Sequence, residues 1–311
     1  MNPKRIFLTL LTLLLFAACS NNSSTDPIDE DDTIETPAVV EANFPCTNGE
    51  AIVDGQTYSC NNMDVVGFVP TKDLLVGPPV GSVFLNDLWG WTDPVTGHEY
   101  ALVGLVDGVS FVDITNPAEP VVLGKLEQPQ AASKAVGENS FGSNPNNPSC
   151  WFKGGTDVFA EKSGQSTNLM ASTWRDLKVF NDHVFVVADG QNNHGMQVFD
   201  LSRLRDVDEP PVTFTEDAVY NQIGSAHNIA INEESGYAYL AGVRRGQVCT
   251  SSGLHIVDIN NPLNPEFAGC YNEPESRNFG VGPGYIHDTQ CVMYDGPDSD
   301  YTGAEICFSA S

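Results

Sequence analysis

Apolar and polar residues alternate with a period near two along three separated stretches of this chain. The first runs from His98 through Ala101-Leu-Val-Gly-Leu-Val-Asp-Gly-Val-Ser-Phe-Val to Asp113, and Asn116-Pro117-Ala-Glu-Pro120 follows it. The second is His183-Val-Phe-Val-Val-Ala-Asp-Gly, continued by Gly195-Met-Gln-Val-Phe to Asp200. The third is Tyr237-Ala-Tyr-Leu-Ala-Gly-Val, continued by Gly253-Leu-His-Ile-Val to Asp258, with Asn261-Pro262-Leu-Asn-Pro265 behind it. Alternation and β-branched content mark strands, and glycines and Asn-Pro pairs mark turns. Each block therefore predicts a strand, a turn and a second strand that ends in Asp.

Each unit also opens on a polar signal: Asn86-Asp87, Arg175-Asp176 and His227-Asn228, with a fourth at His287-Asp288. From the second residue of the signal to the strand-ending Asp the spacing is 26, 24 and 30 residues. Spacings this close make a repeat, and units of roughly 40–60 residues with several short strands fit propeller blades better than solenoid rungs. The expected fold is all-β, a β-propeller over residues 61–311. Residues 127–170, rich in Gly, Asn, Ser and Pro, read as a long loop between blades. The fourth signal would put its strand-ending Asp at about 312–318, so the ring is expected to be incomplete and the chain a fragment that stops inside a blade.

Several of these segments carry a resemblance. Ala101-Leu-Val-Gly and Phe111-Val-Asp-Ile-Thr-Asn-Pro resemble the LVIVD repeat of β-propeller proteins. Trp174-Arg-Asp-Leu-Lys-Val, His194-Gly-Met-Gln-Val-Phe-Asp-Leu, Ala226-His-Asn-Ile-Ala-Ile and His287-Asp-Thr-Gln-Cys-Val together resemble the choice-of-anchor B family, as does the segment from Cys46 to Cys60. The resemblance spans about residues 44–311. It implies an exported propeller, tethered differently in different members, with no established biochemical activity.

The N-terminus sets the expected compartment. Lys4 and Arg5 precede an apolar run from Ile6 to Phe16 and then Ala17-Ala18-Cys19, the layout of an export signal over residues 1–18. The run is too short to cross a bilayer, which needs roughly 20 apolar residues. Its end resembles the bacterial lipobox, which implies that Cys19 is lipidated and anchors the protein in a membrane, at the outer membrane or cell surface on its extracellular side. Residues 19–43 have too little apolar surface to fold and read as an acidic tether. Residues 44–60 read as a hairpin closed by Cys46 and Cys60. Cys249 with Cys270 and Cys291 with Cys307 are expected as further bridges in an oxidising compartment, and Cys150 has no assigned partner.

Charge narrows the partners. With 14 Lys and Arg against 41 Asp and Glu the net charge is −27, and no basic stripe offsets it, which excludes nucleic acid. Loss of Lys4 and Arg5 with the signal gives −29, and setting the tether aside leaves −22 on the propeller. This reads as a solvated, self-repelling surface. A protein or carbohydrate surface ligand remains open.

Candidate chemistry lies first in the start signals. If they open equivalent inner strands they form two rings at one mouth of the channel: Asn86, Arg175, His227 and His287, and Asp87, Asp176, Asn228 and Asp288. Converging His and carboxylate groups suit a transition metal or acid–base work, and Asp176, His227, His287 and Asp288 are the catalytic set of an enzyme reading. The other reading is that these polar residues hydrogen-bond neighbouring strands and fix the ring. Adjacent strand residues face opposite ways, so both rings cannot line the channel.

Asp295, Asp298, Asp300 and Glu305 gather acids in a Gly-containing segment that would suit Ca2+, as in a calcium-stabilised adhesion protein, or form an acidic turn. Asp113, Asp200 and Asp258 read as turn caps. No nucleophile elbow, His-Glu-x-x-His helix or phosphate-binding loop occurs. Trp89, Trp91, Trp151 and Trp174 suit a core or a sugar. The expectation is an exported, lipid-anchored binding or scaffolding module that requires no cofactor, with enzyme and adhesion readings as alternatives.

Overall fold

Period-two patterning turns one face of each strand toward one neighbouring sheet and the other face toward the next. In a computed structural model, residues 41–76, 85–129, 172–191, 193–244, 246, 248–249, 253–271, 277–278 and 282–310 are described. Cys19, the signal, the tether up to residue 40, Cys150 and most of the 127–170 segment lie outside them.

The described chain starts with a hairpin, β1 (Glu50–Val53) and β2 (Gln56–Ser59), paired antiparallel. Its two-residue turn, Asp54 and Gly55, has positive φ at both positions (47° and 76°), the geometry that matches strand twist. Cys46 and Cys60 are joined behind it, with Cα atoms 5.9 Å apart. A single helical turn, α1 (Thr71–Leu74), follows.

Three sheets are then laid down in chain order. The first blade is β3 (Leu85–Thr92), β4 (Glu99–Leu105), β5 (Gly108–Asp113) and β6 (Val121–Glu127). The second begins with β7 (Arg175–Phe180), β8 (His183–Ala188) and β9 (Met196–Asp200). A 3-10 turn, Leu201–Asp206, leads to β10 (Val212–Phe214) and β11 (Ala218–Tyr220). The third is β12 (Asn228–Asn232), β13 (Tyr237–Ala241), β14 (Leu254–Asp258) and β15 (Glu266–Tyr271). A short pair, β16 (Arg277–Asn278) and β17 (Gly282–Pro283), precedes the hairpin of β18 (Asp288–Met293) and β19 (Glu305–Ala310).

Blade two divides its outer edge. β11 closes it antiparallel on β9, while β10 adds parallel to β6 of blade one. That pairing needs Gly124, because a Cβ there would sit 2.3 Å from the Val212 carbonyl oxygen. The 3-10 turn stands where blades one and three have Asn-Pro-x-x-Pro. It sends Arg205 in a fork onto Asp93 of blade one, and the Trp91 indole donates to Asp182 of blade two at 3.0 Å.

The cores lie between blades. Tyr100, Leu102 and Phe111 of blade one pack on Leu177, Val186 and Phe199 of blade two. Phe185, Val187 and Met196 pack on Ile229, Leu240 and Val257 of blade three. Tyr239 and Leu254 meet Ile286 and Cys291. The opposite face of blade one, with Ala101, Val103 and Val112, is covered by Leu74 and Leu75. Phe111, Phe199 and Phe214 form a fully or nearly buried triad with ring centroids 4.9–5.7 Å apart.

Candidate functional site

β3, β7, β12 and β18 each end their sheet, and each packs beside the next. They are the inner strands, so the four start signals do open equivalent elements. Antiparallel alternation brings three further segments to the same end: the β4–β5 turn, the β8–β9 loop and the β13–β14 loop. Contacts between those loops and the start signals make this end of the propeller the candidate site.

The second residue of the signals mainly fastens the ring. Asp87 Oδ2 accepts the backbone N–H of Leu177 in the next blade at 3.2 Å. Asp176 Oδ2 accepts that of Ile229, again one blade on, at 2.8 Å. Both carboxylates also hold the Lys178 ammonium, at 3.3 and 2.8 Å. Burial and then the hydrogen bond with Asp87 push the Asp176 carboxyl up to about 6, with Lys178 opposing. Burial works against the Asp87 charge too, yet the Asp176 hydrogen bond and Lys178 hold it below the usual carboxylate range. The strand-ending Asp113, Asp200 and Asp258 each accept the backbone N–H two residues on, at 2.8–3.0 Å, and shape turns.

The first residue of each signal meets a neighbouring blade differently. Asn86 donates to the Thr173 carbonyl. Arg175 is buried, with Nε on the Leu105 carbonyl at 2.9 Å and NH1 2.6 Å from His194 Nε2. Burial draws the guanidinium down to about 10, and burial with the Arg175 charge draws His194 down to about 3, so His194 is a neutral acceptor. His227 Nδ1 lies 3.0 Å from Asp189 Oδ2 at the tip of blade two. That hydrogen bond, against burial, raises the His227 pKa. Burial opposes the Asp189 charge, but His227 and Arg244 hold its carboxyl low.

His227 and His287 stand side by side with ring centroids 4.4 Å apart, tilted by 42°. Tyr285 Oη is 3.4 Å from His287 Nδ1. Trp174, 54 % exposed, lies with His227 in a T-shaped pair, ring centroids 6.5 Å apart. The half-exposed Arg244 lies 3.8 Å from Asp189. Gly242 makes the room: its φ is +61°, and a Cβ there would sit 2.8 Å from His227 Cβ and 3.3 Å from Tyr285 Oη. The mouth thus offers an exposed indole, an arginine and two imidazoles around one partly buried carboxylate.

The expected catalytic set is divided by this geometry. His227 and His287 come together, Asp176 is committed to holding blades two and three, and Asp288 accepts its own Thr289 N–H at 2.7 Å and faces a groove. That groove, about 570 Å³, runs along β7, β12 and β18 and is lined by Trp89, Lys178, Asn228, Asp288, Gln290 and Phe308. Trp89 and Trp91 share a strand face as expected: Trp91 is buried, while Lys178 covers Trp89 at 4.4 Å.

The expected calcium ligands do not converge. Asp298 Oδ1 accepts the Asp300 N–H at 3.1 Å within its own turn. Glu305 is directed to Asn232 and to the Ser235 hydroxyl at 2.8 Å in blade three. Among the described residues no group of three or more His, Cys, Asp and Glu is arranged to hold a metal ion.

Cys249 is joined to Cys270 and Cys291 to Cys307. Beside the first bridge, buried His255 accepts the Tyr220 hydroxyl on Nε2 at 2.6 Å and meets Cys249 sulfur through Nδ1 at 3.1 Å. It is an internal lock, with burial drawing its pKa down to about 4.

Asp189 and Arg244 are the residues sequence reasoning missed. A signal existed for Asp189: Ala188-Asp189-Gly190 stands at the repeat position of Val106-Asp107-Gly108. Arg244 lies in the β13–β14 loop, whose length differs from that of the matching loops in the other blades, so no repeat position marks it.

Comparison with known proteins bears on the fold. The LVIVD repeat family matches residues 223–273, which is blade three with its lead-in. A quinonprotein alcohol dehydrogenase-like protein from Bacteroides thetaiotaomicron VPI-5482 is structurally similar over 81 % of this chain, at 14 % identity and a TM-score of 0.34. This chain spans 46 % of that protein's length. No curated protein matches the chain. Sequential antiparallel blades and inner strands packed side by side make the protein an all-β propeller, whose third blade matches the LVIVD repeat.

Proposed function

We propose that this protein is an exported, lipid-anchored binding module whose propeller mouth takes a carbohydrate on a neighbouring surface. The observation that carries the reading is Trp174: a largely exposed indole at the rim, set against His227 and close to the Arg244–Asp189 pair. An aromatic face that stacks on a sugar ring, ringed by groups that hydrogen-bond hydroxyls or pair with an acidic substituent, is how a polar ligand is oriented in a concave site. The Lys4-Arg5 start, the apolar run and Ala17-Ala18-Cys19 support export and anchoring through lipidated Cys19, with the acidic tether holding the propeller off the membrane.

Two measurements test it. Cys19→Ser is expected to move the protein from the membrane fraction to the soluble fraction, and a variant that stays with membranes refutes the anchor. A glycan array probed with the native chain and with Trp174→Ala is expected to give binding that the variant loses. Absence of any glycan ligand, or binding indifferent to Trp174, refutes the mouth as a sugar site.

A second reading, a metal-dependent enzyme, is favoured by one feature, the His227–His287 pair backed by Asp189. Its residues are then His227 and His287, with Asp189 in place of Asp176 and Asp288.

A further inference from the structure

We propose that His227 and His287 form a two-histidine site for a divalent first-row transition metal, oriented by Asp189 and Tyr285 and open toward the mouth. The inference rests on the reading of this end as the ligand-binding face and adds the cation through which a ligand's oxygens would be held.

Three observations combine. The imidazole centroids are 4.4 Å apart, near enough for one ion to reach a nitrogen of each ring at the usual metal–nitrogen distance of about 2.0–2.1 Å. The Nδ1 atoms face partners on the protein: Asp189 Oδ2 at 3.0 Å from His227, and Tyr285 Oη at 3.4 Å from His287. Among the described residues, neither Nε2 has a hydrogen-bond partner. A metal-ligating histidine almost always gives its other N–H to a carboxylate, carbonyl or hydroxyl, which fixes the tautomer and leaves the lone pair on the ligating nitrogen. Asp189 Oδ2 faces Nδ1, so in neutral His227 the proton that bridges them sits on Nδ1 and the Nε2 lone pair is left for a ligand.

Imidazole donors suit zinc, copper, nickel or iron, whereas magnesium and calcium prefer oxygen. With two protein ligands the remaining positions stay open to water or to hydroxyl and carboxylate oxygens of a bound molecule. Gly242 is part of the design, because a side chain there would press on both His227 and Tyr285.

The test is a zinc titration of the full chain, disulfides intact and without a polyhistidine tag, followed by calorimetry and by 15N shifts of the imidazoles. One equivalent is expected to bind and to shift Nε2 of His227 and His287. His287→Ala removes binding, and because His287 is solvent-exposed this variant spares the core. Asp189→Asn weakens binding roughly 10- to 100-fold, the usual loss when an outer partner is removed. His98→Ala, at an exposed histidine beside Asp113, leaves binding unchanged. Absence of saturable binding overturns the proposal, as does binding that survives His287→Ala or that shifts other histidines only. The titration contains no sugar, so its failure leaves the glycan-array result standing, and loss of glycan binding leaves a metal result standing.

Discussion

Asp176→Asn separates a fastening role from a catalytic one. In the folded protein Asp176 is 8 % exposed and shares the Lys178 ammonium with Asp87. Burial, then the hydrogen bond with Asp87, raise its carboxyl from the ordinary 3.8 to about 6. Between those values the folded state keeps a proton that the unfolded chain has lost, so this group's contribution to stability falls as pH rises. Below about 4 both states are protonated and nothing is lost; above about 6 both are ionised and the full cost is present. A gap of about two units corresponds to about 3 kcal/mol at 1.36 kcal/mol per unit. That figure is an upper bound, because the low carboxyl pKa of Asp87 returns part of it through the same pair.

Asn has the shape of a protonated Asp and keeps an oxygen for the Ile229 N–H, while its NH2 stands where Oδ1 accepts from Lys178 and the Leu177 N–H, a loss present at every pH. The expected result is a stability difference between variant and native protein that moves in the variant's favour by up to about 3 kcal/mol between pH 4 and pH 7.5. Urea unfolding followed by tryptophan fluorescence, disulfides intact, reads both. A difference that fails to move in the variant's favour between pH 4 and 7.5 refutes the reasoning.

Two further predictions concern packing. Phe199→Ala empties the centre of the Phe111–Phe199–Phe214 triad between blades one and two, and is expected to cost about 3–5 kcal/mol in the same unfolding assay. Gly242→Ala forces a side chain into a left-handed backbone position, at about 1–2 kcal/mol, and drives a methyl into His227. A lowered melting temperature and loss of the His227–His287 ring contact in NMR spectra are expected together, and loss of stability with that contact intact would contradict the role given to Gly242.

Much of the fold is legible in local pattern. The alternation in Glu99–Leu105 and its counterparts, the Gly turns and the recurring strand-ending Asp specify blades because successive strand residues face opposite sides of a sheet, one side more deeply buried, and the chain must turn where backbone requires it. The start signals were legible as a repeat, but their two residues read alike as chemistry or as fastening. Only the structure separates them: Asp87 and Asp176 reach backbone N–H groups one blade away, while His227 finds Asp189 on the blade behind.

The acidic segment shows the opposite failure. Asp295, Asp298, Asp300 and Glu305 look like one loop in sequence, yet Glu305 opens β19 and is drawn to Asn232 and Ser235 across the blade interface. Strand periodicity is a property of neighbours along the chain, so the sequence by itself determines blades, turns and a propeller. Which polar groups share a proton, a lysine or an open face depends on contacts between residues 38 to 91 positions apart, and those exist only once blade has packed on blade.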